Sequence, residues 1–332
     1  MNTQRAQEIL DGFVGKKVLV VGDVMLDEYV WGRVSRVSPE APVMVVDADN
    51  HTFVPGGAAN VVNNVCALGA TALIAGIIGE DNAATTLKEK LTEEGADVAG
   101  LVAVADRPTT MKTRVIAHTQ QGSQQVVRVD HERRDGIGAE VQARVQSYLD
   151  AAIPGCDALL LSDYQKGLLV RDLVAKTIEA GLRHGKVMTG NLKPKGIGGH
   201  CRLTMLTLNV FEAGEASGLI LGDGGGDEGN LREAGRMLLR KSGAENVLIT
   251  RGAHGLTLFG PDQLVVTLPA HPVEVFDGTG AGDTTITTLT LALASGATPL
   301  EAVMLANAAG AVVVRKLGVA TATREEILAQ VA

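Results

Sequence analysis

Aromatic residues make up only 3% of the 332 residues. That is too few for the stacked platforms on which single-stranded nucleic acids are held. Basic residues are outnumbered as well: 30 Lys and Arg stand against 38 Asp and Glu, a formal net charge of −8. A nonspecific nucleic-acid binder is thereby excluded, while a local cationic pocket for a small anion is not. Cysteine is scarce and odd in number. Cys66, Cys156 and Cys201 lie far apart and draw neither a disulfide framework nor a C-x-x-C zinc pattern. Free thiols in a reducing cytosol are the expectation. No stretch approaches the roughly 18 apolar residues of a membrane span, and residues 1–17 lack the apolar region of a signal peptide. These absences lead to the expectation of a cytoplasmic protein with no membrane and no nucleic-acid partner. No G-x-G-x-x-G follows the first apolar strand and no G-x-x-x-x-G-K-[ST] occurs. A nicotinamide oxidoreductase of the dinucleotide-fingerprint type and a Walker A loop both fail on that ground.

What is abundant is glycine and apolar surface. Hydrophobic residues are 45% of the chain and charged residues 20%, enough to build a large core. The 40 glycines are about 12% of the chain against a usual ~7%. They cluster at 56–57, 196–199, 222–229 and 278–282, as tight turns and close backbone approaches to a ligand would require. The loop around 222–229 carries acids, but without EF-hand spacing, so it reads as a solvated loop.

Short β-branched runs alternate with amphipathic stretches. KVLVVGDV at 17–24, residues 71–78, 158–162, 186–189, 204–208 and 246–250 read as buried strands. Helices are expected over 58–68, 82–94, 170–183, 230–241, 280–294 and 299–315, with a hairpin over 256–259 and 263–267. This rhythm predicts an α/β, doubly wound, mostly parallel sheet flanked by helices. Two segments break it by alternating in period two: about 26–48, and 110–130, the latter a hairpin turning at Gln121-Gly122-Ser123. They predict a small β lid on one domain spanning 1–332.

The most informative string is DGTGAGDT at 277–284, after an expected strand at Val273-Glu274-Val275 and before an apolar helix. Gly280, Ala281 and Gly282 there offer successive backbone N–H groups at a helix start, where unpaired donors and the helix dipole favour anions. Asp283, in the first turn, is expected to be held ionised by the same field and to serve as a base. An anion hole beside a carboxylate suits phosphoryl transfer to an alcohol. Asp23 and Asp27 can accept bonds from sugar hydroxyls at a strand end, Gly56 and Gly57 allow close approach, and Asn60 offers both donor and acceptor. Arg36, Lys112, Arg114 and Arg128 lie in the lid segments, where cations would hold the far end of a phosphorylated sugar.

These strings resemble the ribokinase-like (PfkB) carbohydrate kinases. DGTGAGDT is similar to the family's second signature and PGGAAN at 55–60, followed by Ala67-Leu68-Gly69, to its first. The resemblance implies a sugar contact from Gly22-Asp23 and Asp27. It implies nucleotide contacts from Asn209, Val210, Phe211 and Glu212, from Lys193, from Thr250, Gly252 and Gly255, from Thr279, and from Asn307 at the adenine pocket. It implies ATP as co-substrate, Mg2+ through Asn209 and Glu212, and admits a monovalent cation. GDVMLDEYVWGRVSRVSPEAPV at 22–43, KTRV at 112–115, VVRVD at 126–130, SDYQKG at 162–167 and ANAAGAVVVRKLG at 306–318 resemble the branch acting on D-glycero-β-D-manno-heptose 7-phosphate. That branch phosphorylates O1 on the way to ADP-heptose and the lipopolysaccharide core, and its members pair through the lid, so a homodimer is expected.

The sequence departs from the family at three places. Asn191-Leu192-Lys193 stands where Asp-Pro-Lys is usual, Thr207-Leu208-Asn209 where Thr-Pro-Asn is usual, and Gly278 replaces a Thr or β-branched residue. No H-x-G-H motif of an adenylyltransferase is present, so a stand-alone kinase is expected. The rival readings are a kinase of another sugar, such as fructose 1-phosphate or ribose, and a non-catalytic sugar sensor on the same fold.

Overall fold

A computed structural model describes residues 1–119, 122–199, 201–223 and 226–331. Gln121 of the expected hairpin turn and residues 224–225 of the glycine-rich loop lie outside the described residues.

The central strand is β1 (Lys17–Gly22), buried from its second residue onward. It pairs in parallel with β4 (Thr71–Ile78) on one side and β8 (Ala158–Ser162) on the other. The sheet continues through β5 (Asp97–Ala103) beyond β4, and through β9 (Val187–Asn191), β10 (Met205–Asn209) and β11 (Val247–Thr250) beyond β8, all parallel. β12 (Leu256–Phe259) and β13 (Val265–Leu268) close that edge antiparallel, giving nine strands in the order β13-β12-β11-β10-β9-β8-β1-β4-β5.

Alternate residues of one strand feed different cores. Val18 and Val20 of β1 pack with α1 (Thr3–Asp11), α2 (Ala58–Ala67), α3 (Asn82–Glu93), α8 (Ala281–Ala294), α9 (Pro299–Val313) and α10 (Arg324–Val331). Leu19 and Val21 pack with α4 (Ala139–Ala152), α5 (Arg171–Arg183), α6 (Val210–Ser217) and α7 (Glu228–Ser242). Two apolar layers on one sheet are what unbroken β-branched strands demand. The doubly wound class is thus borne out. No helix among the described residues is long and apolar enough to cross a membrane. Cys156 and Cys201 are buried and Cys66 half-buried, all three as free thiols.

A second sheet of order β3-β2-β6-β7 is built from β2 (Val24–Val37), β3 (Met44–Gly57), β6 (Met111–Thr119) and β7 (Gly122–His131). β2 and β3 run 14 residues each, longer than the short strands expected, and β3 carries Pro55-Gly56-Gly57 as its last residues. The expected strand at 273–275 does not form. Just after it, the Phe276 and Asp277 N–H groups donate to the Val314 carbonyl after α9. The periodicity reading did not anticipate β5, α1, α4, α6 or α10.

Candidate active site

The parallel strands deliver their carboxyl ends to one rim, where loops and two helix starts converge, as open α/β sheets arrange a ligand crevice. Gly280 (φ +82°) precedes α8 in the left-handed region, which favours glycine. A Cβ at that position would sit 3.0 Å from Asn60 Nδ2. The turn therefore brings Asp283 against α2. Ala281 opens the helix with its N–H donated to the Gly278 carbonyl at 3.3 Å, and Gly282 and Asp283 follow in the first turn, where backbone N–H groups have no intrahelical acceptor.

Both oxygens of Asp283 have donors. Asn60 Nδ2 donates to Oδ2 at 2.7 Å and the Tyr164 hydroxyl donates to Oδ1 at 2.6 Å. Burial pushes the Asp283 carboxyl upward; the bonds from Tyr164 and Asn60 and the charge of Lys193 pull it back, and Asp27 pushes it up again. The net direction is upward, opposite to the shift expected from the helix field alone. A carboxylate with a raised pKa is a better proton acceptor near neutral pH.

Tyr164 was not singled out by sequence reasoning, although it lies inside the SDYQKG string. Its loop is tightly specified. Asp23 receives three backbone N–H bonds, from Tyr164 (2.9 Å), Lys166 (3.0 Å) and Leu168 (3.1 Å). Asp163 accepts from Gln165 N and Lys193 N. Gly167 has φ +96°, and a Cβ there would run into the Asp135 carbonyl. At 1% exposure, the Asp23 carboxylate holds the 164–168 loop. Asn60 is committed as well, its Oδ1 accepting from Asn64 while its amide holds Asp283.

Asp27 lies in the second sheet, where the Arg114 guanidinium donates to it at 2.8 Å. The two side chains are 7% and 15% exposed. Arg114 also lies 5.3 Å over the Tyr29 ring. Lys112 stands opposite Asp27 in register. Burial pushes its ammonium down, partly offset by Asp27. Gly56 is required here, since its Cβ would fall 2.6 Å from Asp27 Oδ2, and Gly57 (φ +56°) turns the chain into α2. Arg128 is opposite Arg114 on β7, half exposed and bonded to Asp130. Arg36 does not join this group. It lies nine residues beyond Asp27 along β2, about 30 Å of extended strand away, and pairs with Asp47 at 3.9 Å.

On the other flank, Lys193 Nζ pairs with Glu212 and lies 5.5 Å over the Tyr164 ring. Asn209 and Glu212 form a capping box at the start of α6: Asn209 Oδ1 accepts from Glu212 N and Glu212 Oε2 from Asn209 N, both at 2.9 Å. The cap engages one lone pair of the Asn209 amide oxygen and leaves the residue exposed. Between them Val210 is buried and Phe211 is exposed. Thr250 ends β11, followed by a turn with Gly252 at φ +54° and Gly255 at φ +84°. Thr279 N donates to Asp277 at 2.9 Å, and Asn307 Nδ2 donates to the Pro269 carbonyl. The departures at 192 and 208 are packing changes: both leucines are buried in the core. A cavity of about 600 Å³ borders Asp163, Gln165 and Gly167, but Asp27, Asn60 and Asp283 do not line it.

A carboxylate with a raised pKa, an anion-binding helix start and a neighbouring cation–carboxylate sheet together define a phosphotransferase acting on an alcohol. The chain belongs to the pfkB family of carbohydrate kinases, whose family model matches residues 15–326; it is a sugar kinase. It is 42% identical over 318 residues to the bifunctional protein HldE of Desulfatibacillum aliphaticivorans, covering 96% of this chain and 63% of that protein. It is 41% identical over 319 residues to the HldE protein of Caulobacter vibrioides, covering 96% and 64%. The chain thus spans less than two thirds of the length of these relatives. The fold matches that of phosphofructokinase-2 from Escherichia coli in complex with potassium, with a TM-score of 0.77, 17% identity and coverage of 96% of this chain and 98% of that one. It also matches Arabidopsis thaliana ribokinase complexed with ribose and ATP, with a TM-score of 0.73, 18% identity and coverage of 96% and 99%.

Proposed function

We propose that the protein transfers the γ-phosphate of ATP to O1 of D-glycero-β-D-manno-heptose 7-phosphate, giving the 1,7-bisphosphate for ADP-heptose and lipopolysaccharide core synthesis. The observation that carries the choice of a phosphorylated sugar is the pair Lys112 and Arg114 flanking Asp27 on a sheet adjoining Asp283. A phosphate monoester would find two cations there, while Asp27 accepts from hydroxyls. The heptose assignment rests on the strings shared with that branch and on likeness to the HldE proteins.

In the proposed step the O1 hydroxyl gives its proton to Asp283 and its oxygen bonds to the γ-phosphorus. The bond from that phosphorus to the bridging oxygen breaks, and its electron pair leaves with ADP. The N–H groups of Gly282 and Asp283 take the charge of the transferring group. No cluster of three acidic, His or Cys ligands occurs among the described residues. Mg2+ needs no such cage, because it keeps waters and substrate phosphates as ligands. Glu212, a hard carboxylate in the first turn of α6, fits as its protein contact, and the ion, when bound, would neutralise phosphate charge. The second sheet acts as the lid. Its exposed Val34, Val37, Val127 and Val129 suit pairing with the lid of a second copy.

The test is ADP release against heptose 7-phosphate, fructose 1-phosphate, fructose 6-phosphate and ribose, with phosphorus NMR of the product. A 1,7-bisphosphate formed selectively supports the proposal. Faster turnover of another sugar replaces the substrate. Sugar binding with no turnover on any of them favours a sensor.

A further inference from the structure

We infer that Tyr164 is a positioning residue for the Asp283 base, fixing the carboxylate and setting the pH at which it begins to accept a proton. The inference rests on the proposed role of Asp283.

The geometry is over-determined for a chance contact. The Tyr164 hydroxyl reaches Asp283 Oδ1 at 2.6 Å, within the range of a charge-assisted O–H···O⁻ bond. The Tyr164 backbone is anchored by Asp23, a buried carboxylate whose three bonds all go to this loop. Gln165 is held at φ +55°, an uncommon conformation for a residue with a side chain. With Asn60 fixing Oδ2, neither oxygen can rotate away, so one lone pair stays presented to an incoming hydroxyl.

A phenol is suited to this role. It donates to the charged form of the carboxylate, and burial together with the Asp283 charge pushes its own pKa well above the ordinary value, so it remains a donor at any working pH. The charged groups facing Asp283 come from every flank: Lys193 after β9, Asp27 on β2, and Glu212 on α6 acting through Tyr164. Of these, Lys193 favours the ionised base and Asp27 opposes it.

The experiment is the pH profile of kcat/KM for Tyr164→Phe beside the unmodified protein and Asp283→Asn. Losing the hydroxyl removes a bond that lowers the Asp283 pKa, so the acid limb should move to higher pH and kcat should fall roughly 10- to 100-fold. Incorporation of 3-fluorotyrosine at 164 keeps the hydroxyl as a stronger donor and should move the limb to lower pH. It also covers the case in which Tyr164→Phe does not fold. If the limb stays in place in the folded variants while Asp283→Asn is inactive, this inference alone is overturned. If Asp283→Asn turns over near normally, the base assignment fails instead.

Discussion

Replacing Arg114 by alanine tests the phosphate clamp most directly. In the free protein the guanidinium makes a 2.8 Å bond to Asp27 and lies over Tyr29, both largely out of water. A charge-assisted hydrogen bond is worth about 1.5–3 kcal/mol. Losing it to a substrate phosphate should raise the KM for the sugar phosphate roughly 10- to 150-fold. The proposed nucleotide contacts follow β10 and β11, beyond β8 and β9 from the central strand, so the KM for ATP should stay within about twofold. A sugar lacking the phosphate should show no matching rise. The substitution also strands a buried Asp27, and removing one partner of a buried pair costs about 3 kcal/mol or more, so the melting temperature should fall. Arg114→Lys should recover part of the stability without the planar fork. Steady-state ADP release with each substrate varied, alongside thermal melts, reads all of these. Parallel rises in both KM values, or an unchanged KM for the sugar phosphate, would refute the clamp.

Three further outcomes are expected. Asp283→Asn should lower kcat by orders of magnitude while the sugar Kd, measured by calorimetry, changes little, because the amide keeps the shape but cannot take the proton. Glu301, which caps α9 with Thr298 and bonds Arg5, is pulled down to about 2 by Arg5 and the cap. Its folded value lies below the unfolded one, so its contribution is present above pH 4.5 and is lost as pH falls toward 2. Glu301→Ala should therefore cost about 1 kcal/mol in urea melts at pH 7, a gap that narrows across that window; a gap constant with pH would count against the ionic part. Val129→Glu on the exposed face of β7 should shift the proposed dimer toward monomer in light scattering while leaving the melting temperature nearly unchanged.

The doubly wound class was legible because its signals are local. KVLVVG is too uniformly apolar to face water on either side, so it had to be a central strand with two covered faces. DGTGAGDT carries its own mechanism, since glycine in the left-handed region and an acid in the first turn make an anion site wherever the chain places them. Elements with weaker local signatures escaped. β5 buries only Gly100, Leu101 and Val102 fully, and α4 only Val145 and Leu149. The strand expected at 273–275 has two β-branched residues but does not form, since three residues carry too little periodicity to decide.

Side-chain roles divided along the same line. Asp23 and Asp27 are both carboxylates near the end of β1, and nothing in the sequence separates them. The fold does, because the 164–168 loop brings three amides to Asp23 and leaves Asp27 to Arg114. Arg36 and Arg114 are both lid cations, yet only the register between β2 and β6 puts one of them on Asp27. Asn209 and Glu212 have the spacing of a capping box and of a phosphate-side motif at once, and only the structure shows that the cap forms, through both side chains. The sequence alone determined the class of fold, the glycine-led start of α8 and the carboxylate in its first turn, because short-range backbone geometry and periodicity determine those. Which polar groups remain open to a substrate, and that Tyr164 meets Asp283 from 119 residues away, only the tertiary structure decided, because hydrogen-bond partners compete across the whole chain and the competition is settled by packing.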